Sequence, residues 1–160
     1  VRDAVAAGHR LLIFSQFTGM LDLIKPVLDE LDVSWHYLDG GTSAQDRIQR
    51  VNAFNRGERD AFLISLKAGG AGLNLTGADM VIHCDPWWNP AVEDQATDRA
   101  YRIGQKNVVQ VFKLVAKGTI EEKILALQER KRELVDSLIQ PGESFIGKMT
   151  EAEIRGLFGE

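Results

Sequence analysis

Three residues in one segment have the types and spacing needed to grip phosphate oxygens. Gln95, Arg99 and Arg102 are separated by four and then three positions, which predicts that they share one face of a helix. Arginine presents a planar fork of N–H donors that stays charged and fits phosphate oxygens. The alternative is a solvated helix face on which Asp98 pairs with Arg102, which contributes only about 0.3 to 0.5 kcal/mol. These residues alone leave both interpretations open.

A glycine-rich loop, KAGGAGLN at 67–74, follows the apolar run at 61–65 and precedes Gln95, Arg99 and Arg102 in the chain. Glycines let backbone N–H groups approach an anion closely and form a concave set of donors. The loop is not a Walker A sequence, because no Gly-Lys-Ser/Thr follows, and it lacks the third glycine of a dinucleotide fingerprint. An anion cradle and a plain strand-to-helix turn therefore both remain possible for this loop.

Two adjacent tryptophans follow the next apolar run, in the sequence Trp87-Trp88-Asn89-Pro90. Neighbouring side chains of an extended chain face opposite sides, so we expect one indole in the core and the other exposed. We assign the exposed position to Trp88. An exposed indole at a strand end can stack on a base or a sugar.

The elements that would position these residues alternate between strands and helices. This alternation predicts an α/β, three-layer domain with a mostly parallel sheet flanked by helices. Ligands of such sheets bind at the carboxyl ends of the strands. Apolar runs predict strands at 11–14, 35–38, 61–65, 80–84 and 108–115, and periodicity and capping patterns predict helices over 20–31, from 43 through 54, from 119 to about 138, and from 150 onward. We expect residues 1–140 to form one domain, with 141–160 as a C-terminal loop and helix packed on it or extending it.

Composition bounds the function classes. A chain of 160 residues suffices for one domain with a sizeable core, and its single cysteine, Cys84, excludes an internal disulfide. The net charge of −4 does not forbid nucleic-acid binding, because a local basic strip decides phosphate binding. The three histidines are scattered, so we expect no metal site. No apolar run reaches the ~18 residues of a membrane span, and the missing initiating Met leads us to expect a piece of a longer protein.

Four segments, in this order, resemble motifs of one family. LLIFSQF resembles motif IV and LDGGTSAQDR resembles motif IVa; SLKAGGAGLNL with the Trp-Asn-Pro turn resembles motif V, and DQATDRAYRIGQ resembles motif VI. The family is the C-terminal RecA-like lobe of the SWI/SNF-type DNA-dependent ATPases, translocases of helicase superfamily two. The similarity covers about residues 10–140, and SFIGKMTEAEI near the end is more similar to bacterial and archaeal members. Tyr101 departs from the family, since many relatives carry His there.

The resemblance implies roles only at matching positions. Arg102 would be the arginine finger, which accelerates phosphoryl transfer about 10³- to 10⁵-fold, with Arg99 beside it and Gln95 in support. The implied nucleotide-binding residues are Gly70, Gly72 and Asn74, and the implied DNA-binding residues are Ser15, Gln16, Thr42, Arg47, Lys67 and Trp88.

The resemblance also implies partners. The sequence contains no Gly-Lys-Ser/Thr, and VLDE at 27–30 fits a helix period better than a Walker B strand. ATP and Mg²⁺ would therefore be held mainly by an N-terminal lobe of the same chain, and this piece alone would be inactive. The parent would move along double-stranded DNA without separating its strands, in the cytoplasm of a prokaryote or the nucleus of a eukaryote. A DNA-bound protein complex is a further candidate partner, and no membrane is expected. A strand-separating helicase and a non-catalytic interaction module are the alternatives.

Overall fold

Five short strands form one parallel sheet. The computed structural model describes residues 1–68, 72–101 and 108–138. The sheet has the order β2-β3-β1-β4-β5, and each neighbouring pair is parallel. Each predicted strand is confirmed, with ends that differ by up to two residues. The strands are β1 (Leu11–Ser15), β2 (Trp35–Leu38), β3 (Ala61–Ser65), β4 (Met80–His83) and β5 (Gln110–Lys113).

Within the described residues, five helices connect or flank these strands: α1 (Arg2–Ala6), α2 (Thr18–Glu30), α3 (Ala44–Asn55), α4 (Pro90–Thr97) and α5 (Ile120–Leu138). The predicted capping of α3 is confirmed, because the Ser43 hydroxyl accepts the Asp46 N–H at 3.1 Å. VLDE is a helix end, as predicted: Leu28 is buried, and α2 ends at Glu30. None of the described helices is long and apolar enough to cross a membrane.

The core lies on both faces of the sheet. Along β1, Leu12 and Phe14 belong to one apolar cluster, whereas Leu11 and Ile13 belong to the other. Alternate side chains of a strand point to opposite faces, so a strand covered on both faces is apolar at every position. The predicted three-layer α/β architecture is confirmed. The predicted loop and helix at 141–160 lie outside the described residues.

The predicted helix through Gln95, Arg99 and Arg102 is wrong in extent. α4 ends at Thr97, and the residues from 98 to 101 form turns. The Arg99 carbonyl accepts the N–H of Leu75 at 2.9 Å, a tertiary contact that fixes the backbone just past the helix end. Arg102 itself lies outside the described residues.

Candidate functional site

The carboxyl ends of β1 and β4 are tied together by Asp85. This carboxylate is buried; it accepts the hydroxyl of Ser15 and, at 3.0 Å, the N–H of Gln16. The Gln16 side chain donates in turn to the Pro86 carbonyl at 3.2 Å. Ser15 is 0% exposed, so the expectation that its side chain lines an open DNA track is not met. Its hydroxyl holds the turn instead, because it also accepts the N–H of Phe17 at 3.0 Å.

Thr42 is fixed by an aspartate at the end of β2. Its hydroxyl accepts the Asp39 N–H and donates to Asp39 Oδ1, both at 3.1 Å, and the Tyr37 hydroxyl donates to Oδ2 at 3.1 Å. Burial acts to raise the pKa of Asp39, but the hydrogen bonds from Thr42, Tyr37 and Gly41 outweigh it, so that pKa is lowered. Burial and the same carboxylate raise the pKa of Tyr37 to about 12. The turn therefore presents Thr42 in one fixed position.

Two side chains predicted to bind DNA, Arg47 and Lys67, lie near the end of β3. Lys67 is exposed two residues after the end of β3. Arg47, in the first turns of α3, donates a guanidinium N–H to the Ala68 carbonyl at 2.7 Å. Because Ala68 follows Lys67 in the chain, this bond brings the start of α3 beside the lysine. The structure thus brings the two positive charges to the same edge of the sheet.

The described part of the glycine-rich loop is open to solvent. Gly72 is exposed and has a φ of +37°, a conformation that L side chains rarely adopt. Asn74 is also exposed, and its carbonyl accepts the Asn55 side-chain amide at 2.8 Å. Gly70 lies outside the described residues. Asn55 ends α3, and it also accepts the N–H of Gly77, whose carbonyl accepts a bond from Arg10 just before β1, so Asn74 lies toward the amino ends of the strands.

Gln95 and Arg99 do not share a surface. Gln95 is exposed on α4. Arg99 is only 5% exposed, and its guanidinium carbon lies 5.9 Å from the centroid of the Phe14 ring. Burial against an aromatic core residue gives Arg99 a place in the interior of the lobe, whereas Gln95 faces outward.

The prediction that one tryptophan side chain is exposed and the other packs against the core is confirmed. Trp88 is 51% exposed, and Trp87 is partly buried against the core cluster on one face of the sheet. The turn that separates them from α4 is built by Asn89, whose side chain accepts the Ala91 N–H at 3.2 Å, and by Pro90 in the first helical turn.

A buried polar junction beneath this turn was missed by the sequence reasoning. Glu93 is 0% exposed and accepts the Trp87 N–H at 2.6 Å, the Gln128 amide at 2.7 Å and the Lys113 ammonium at 2.5 Å. We call Glu93, Lys113, Gln128 and the Trp87 backbone the Glu93 junction. Burial acts to raise the pKa of Glu93, but the hydrogen bonds from Lys113, Trp87 and Gln128 outweigh it, and the pKa is lowered.

The junction also corrects the interpretation of α5. Its mixed charges between Glu121 and Glu133 predict an ordinary exposed face, yet Gln128 is 0% exposed. The spacing could have indicated this burial. Gln128 follows the half-buried Ile124 by four residues, so the two lie on the same face of the helix. A polar residue on such a face is expected to be buried with a partner.

The chemistry of the edge suits phosphate better than metal. In the three described stretches, no group of three His, Cys, Asp or Glu residues is placed to hold a metal ion. Asp85, the carboxylate nearest the strand ends of β1 and β4, is buried and already accepts two hydrogen bonds. The groups at this edge that suit a phosphate are the cations Arg47 and Lys67.

Comparisons with known proteins agree with this geometry. The sequence model of the family described as "Helicase conserved C-terminal domain" matches residues 1–104, which is more than half of the chain. The chain belongs to this family. A solved structure, the C-terminal part of the Fun30 ATPase domain, resembles this helicase C-terminal domain with a TM-score of 0.74 and 41% identity, over 78% of this chain and 41% of that one.

Curated relatives of this helicase C-terminal domain are much longer proteins. The putative ATP-dependent helicase/translocase YwqA of Bacillus subtilis is 47% identical over 154 residues, which are 96% of this chain and 17% of the relative. An uncharacterized ATP-dependent helicase of Mycoplasma pneumoniae is 41% identical over 159 residues, covering 99% and 15%. Helicase swr1 of Aspergillus fumigatus is 42% identical over 161 residues, covering 100% and 10%. The chain thus spans less than a fifth of each.

These matches confirm the resemblance to SWI/SNF-type ATPases and the RecA-like fold. Bacterial and fungal proteins match about equally well, so a bacterial or archaeal source for this helicase C-terminal domain stays a prediction. The roles of the individual site residues also stay predictions.

Proposed function

We propose that this domain is the second motor lobe of an ATP-driven translocase that steps along double-stranded DNA. One observation carries the proposal: the parallel sheet brings polar and basic side chains from its strand ends to a single edge. A DNA strand would follow this edge, while a partner lobe of the same parent chain would hold ATP against another part of the domain. Opening and closing of the two lobes would then move the DNA.

The proposed DNA track uses side chains that remain at the surface. Lys67 and Trp88 are exposed, and Gln16, Thr42 and Arg47 are partly buried but fixed by hydrogen bonds. Phosphate contacts from such cations and hydroxyls position a protein on DNA without reading its sequence. We assign Ser15 a positioning role beneath Gln16, since its own side chain is buried.

The proposed nucleotide contacts use residues other than those of this track. Gly72, Asn74 and Gln95 would face the ribose and phosphates of an ATP held, together with Mg²⁺, mainly by the N-terminal lobe. Bound Mg²⁺ supplies neutralisation of the charge that develops on the phosphates during transfer to water. Arg102 would reach the γ-phosphate as the arginine finger, and the burial of Arg99 supports a positioning role for that residue. The domain alone would therefore not turn over ATP.

Replacing Lys67 by alanine should weaken duplex DNA binding. Loss of one phosphate contact is expected to reduce the salt slope, the change of log affinity with log salt concentration, by about 0.9. Fluorescence anisotropy with a labelled duplex at several salt concentrations measures both quantities. Lys123→Ala, on an exposed turn of α5, is the matched control and should change neither.

Arg47→Ala should have the same effect on the slope, with a small loss of stability because the bond to the Ala68 carbonyl also disappears. Arg47→Lys keeps the charge and should retain the slope. If affinity and slope stay unchanged in both Lys67→Ala and Arg47→Ala, the DNA track does not run along this edge.

A strand-separating helicase is the second candidate, because the relatives are themselves described as helicases. An unwinding assay and a triplex-displacement assay on the parent protein separate the two. A translocase displaces the third strand without unwinding the duplex, whereas a helicase unwinds it. A non-catalytic module would fail both assays and would show no ATPase activity when joined to the N-terminal lobe.

A further inference from the structure

The C-terminal helix α5 places a cation over the exposed tryptophan. The Lys131 ammonium lies 4.2 Å from the centroid of the Trp88 ring. Trp88 is 51% exposed and Lys131 is half-buried, so the pair stands at the surface. In the described part of the chain Lys131 makes no ion pair with a carboxylate. Its charge is therefore available to an anion that approaches the indole.

Two contacts near Lys131 hold α5 in the register that produces this pairing. Gln128, one helical turn earlier, is fully buried and donates to the Trp87 carbonyl and to Glu93 Oε1. Arg132, the next residue along, pairs with Asp94 of α4 at 2.8 Å. The Arg132 pair is exposed and contributes little, so the buried Gln128 amide is the stronger restraint.

The Gln128 contacts act on both members of the surface pair. One end of the connection is the Trp87 carbonyl, which immediately precedes Trp88 in the chain. The other is the helix that carries Lys131, because residues three apart on a helix lie on the same face. A single buried amide thus fixes the backbone of the tryptophan turn and the helix that supplies the cation.

The paired groups have complementary chemistry toward a nucleic-acid strand. An indole offers a flat apolar face that packs against a sugar of the duplex backbone, and an ammonium binds a phosphate as a mobile point charge. Sugars and phosphates alternate along one strand, so the two side chains suit neighbouring groups of its backbone. A carboxylate-bearing partner would use the ammonium but would leave the indole face unused.

We propose that Lys131 binds a DNA phosphate and that Trp88 contacts the same strand beside it. Gln128 is the positioning residue for both side chains. This inference rests on the proposed function in DNA binding and extends the track from the strand ends onto α5. The competing explanation is that Lys131 merely covers the indole and has no ligand.

Duplex binding by the 160-residue chain tests the proposal. Each phosphate contact contributes about 0.9 to the salt slope. Between 50 and 200 mM salt, one contact therefore adds a factor of about 3.5 to the loss of affinity. Lys131→Ala should lose that factor, and Lys131→Arg should keep it because the charge remains. Lys123→Ala removes an exposed cation from the same helix, where it lines a groove with Leu127 and Arg130, and should bind as the unsubstituted chain does.

The role of Gln128 is tested with Gln128→Met, which keeps a similar volume and removes the amide. We expect it to lose the same factor of about 3.5, and the double variant Gln128→Met, Lys131→Ala to lose no more than either single one. A purely structural role would lower the unfolding temperature and leave the salt slope unchanged, which would overturn the positioning assignment.

The outcomes separate this inference from the proposed function. If the chain binds DNA and Lys67→Ala reduces the slope but Lys131→Ala does not, only the inference about α5 fails. If the unsubstituted chain does not bind duplex DNA even at low salt, the proposed DNA track fails, and the inference fails with it.

Discussion

Arg102→Ala in the parent protein is expected to abolish DNA-stimulated ATP hydrolysis while leaving nucleotide binding intact. The prediction follows from the resemblance of DQATDRAYRIGQ to motif VI, by which Arg102 would be the arginine finger. Such an arginine stabilises charge in the transition state and accelerates the reaction about 10³- to 10⁵-fold, which corresponds to roughly 4 to 7 kcal/mol of barrier. Binding is spared because the N-terminal lobe would hold most of the nucleotide.

Steady-state ATPase rates with saturating duplex DNA, together with the affinity for a fluorescent ATP analogue, measure the two effects separately. Arg102→Lys should recover only part of the rate, because an ammonium lacks the planar fork of the guanidinium. Arg130→Ala removes an exposed arginine of α5 and serves as the control for loss of charge alone. Near-normal turnover of Arg102→Ala would exclude it as the finger.

The neighbouring arginine gives a contrasting expectation. Arg99 is 5% exposed, near the Phe14 ring, and its backbone carbonyl is bonded to Leu75. Truncating a buried side chain of this size leaves a cavity and removes polar contacts. Arg99→Ala should therefore lower the unfolding midpoint of the lobe, whereas Arg102→Ala should leave it unchanged if Arg102 acts on the nucleotide.

The sheet could be predicted from the sequence where burial is complete. β1 and β3 are buried at every position, so their apolar runs mark the strands to within one residue. β5 lies at the edge of the sheet, and its Val111 and Phe112 are 42% and 45% exposed. The apolar run at 108–115 extends beyond the paired residues Gln110–Lys113 at both ends. At an exposed sheet edge, the length of an apolar run does not determine where strand pairing begins and ends.

The site was less accessible to sequence reasoning because long-range contacts decide it. The residues directly after Thr97 include neither glycine nor proline, so no local signal marks the end of α4. The bond between Leu75 and Arg99 cannot be predicted from helical spacing. The Glu93 junction joins residues up to 41 positions apart, from Trp87 to Gln128. Lys67 and Trp88 are nevertheless exposed in the loops after β3 and β4, as expected for loops at the strand ends of a parallel sheet, while their DNA-binding roles stay predictions.

Glu93→Ala is expected to destabilise the domain by about 2 to 4 kcal/mol. The substitution leaves the Lys113 ammonium, the Gln128 amide and the Trp87 N–H without their shared acceptor. Removing one partner of a buried ion pair costs most when the other charge stays buried. Lys113 is 26% exposed and can regain some water, which places the effect below that of a fully enclosed pair. Urea unfolding followed by circular dichroism measures the change.

Asp94→Ala is the matched control, because Asp94 is the next residue of α4 and also makes a single ion pair. Its partnership with Arg132 is exposed, with 43% and 55% of the two side chains accessible, and exposed pairs contribute at most about 1 kcal/mol. The control should therefore lose far less stability than Glu93→Ala. Equal losses in the two variants would show that the Glu93 junction has no more energetic weight than a surface contact.

The lowered pKa of Glu93 gives this prediction a pH dependence with a defined sign. A carboxylate whose pKa is lower in the folded state stabilises the fold above its unfolded pKa of about 4.3 and ceases to do so as pH falls through the folded value. The stability difference between the unsubstituted chain and Glu93→Gln should therefore be largest near neutral pH and shrink from about pH 5 downward. A stability difference that grows on acidification would contradict the ionised, hydrogen-bonded state assigned to Glu93. It would also contradict the conclusion that this carboxylate joins α4 to Lys113 of β5 and Gln128 of α5.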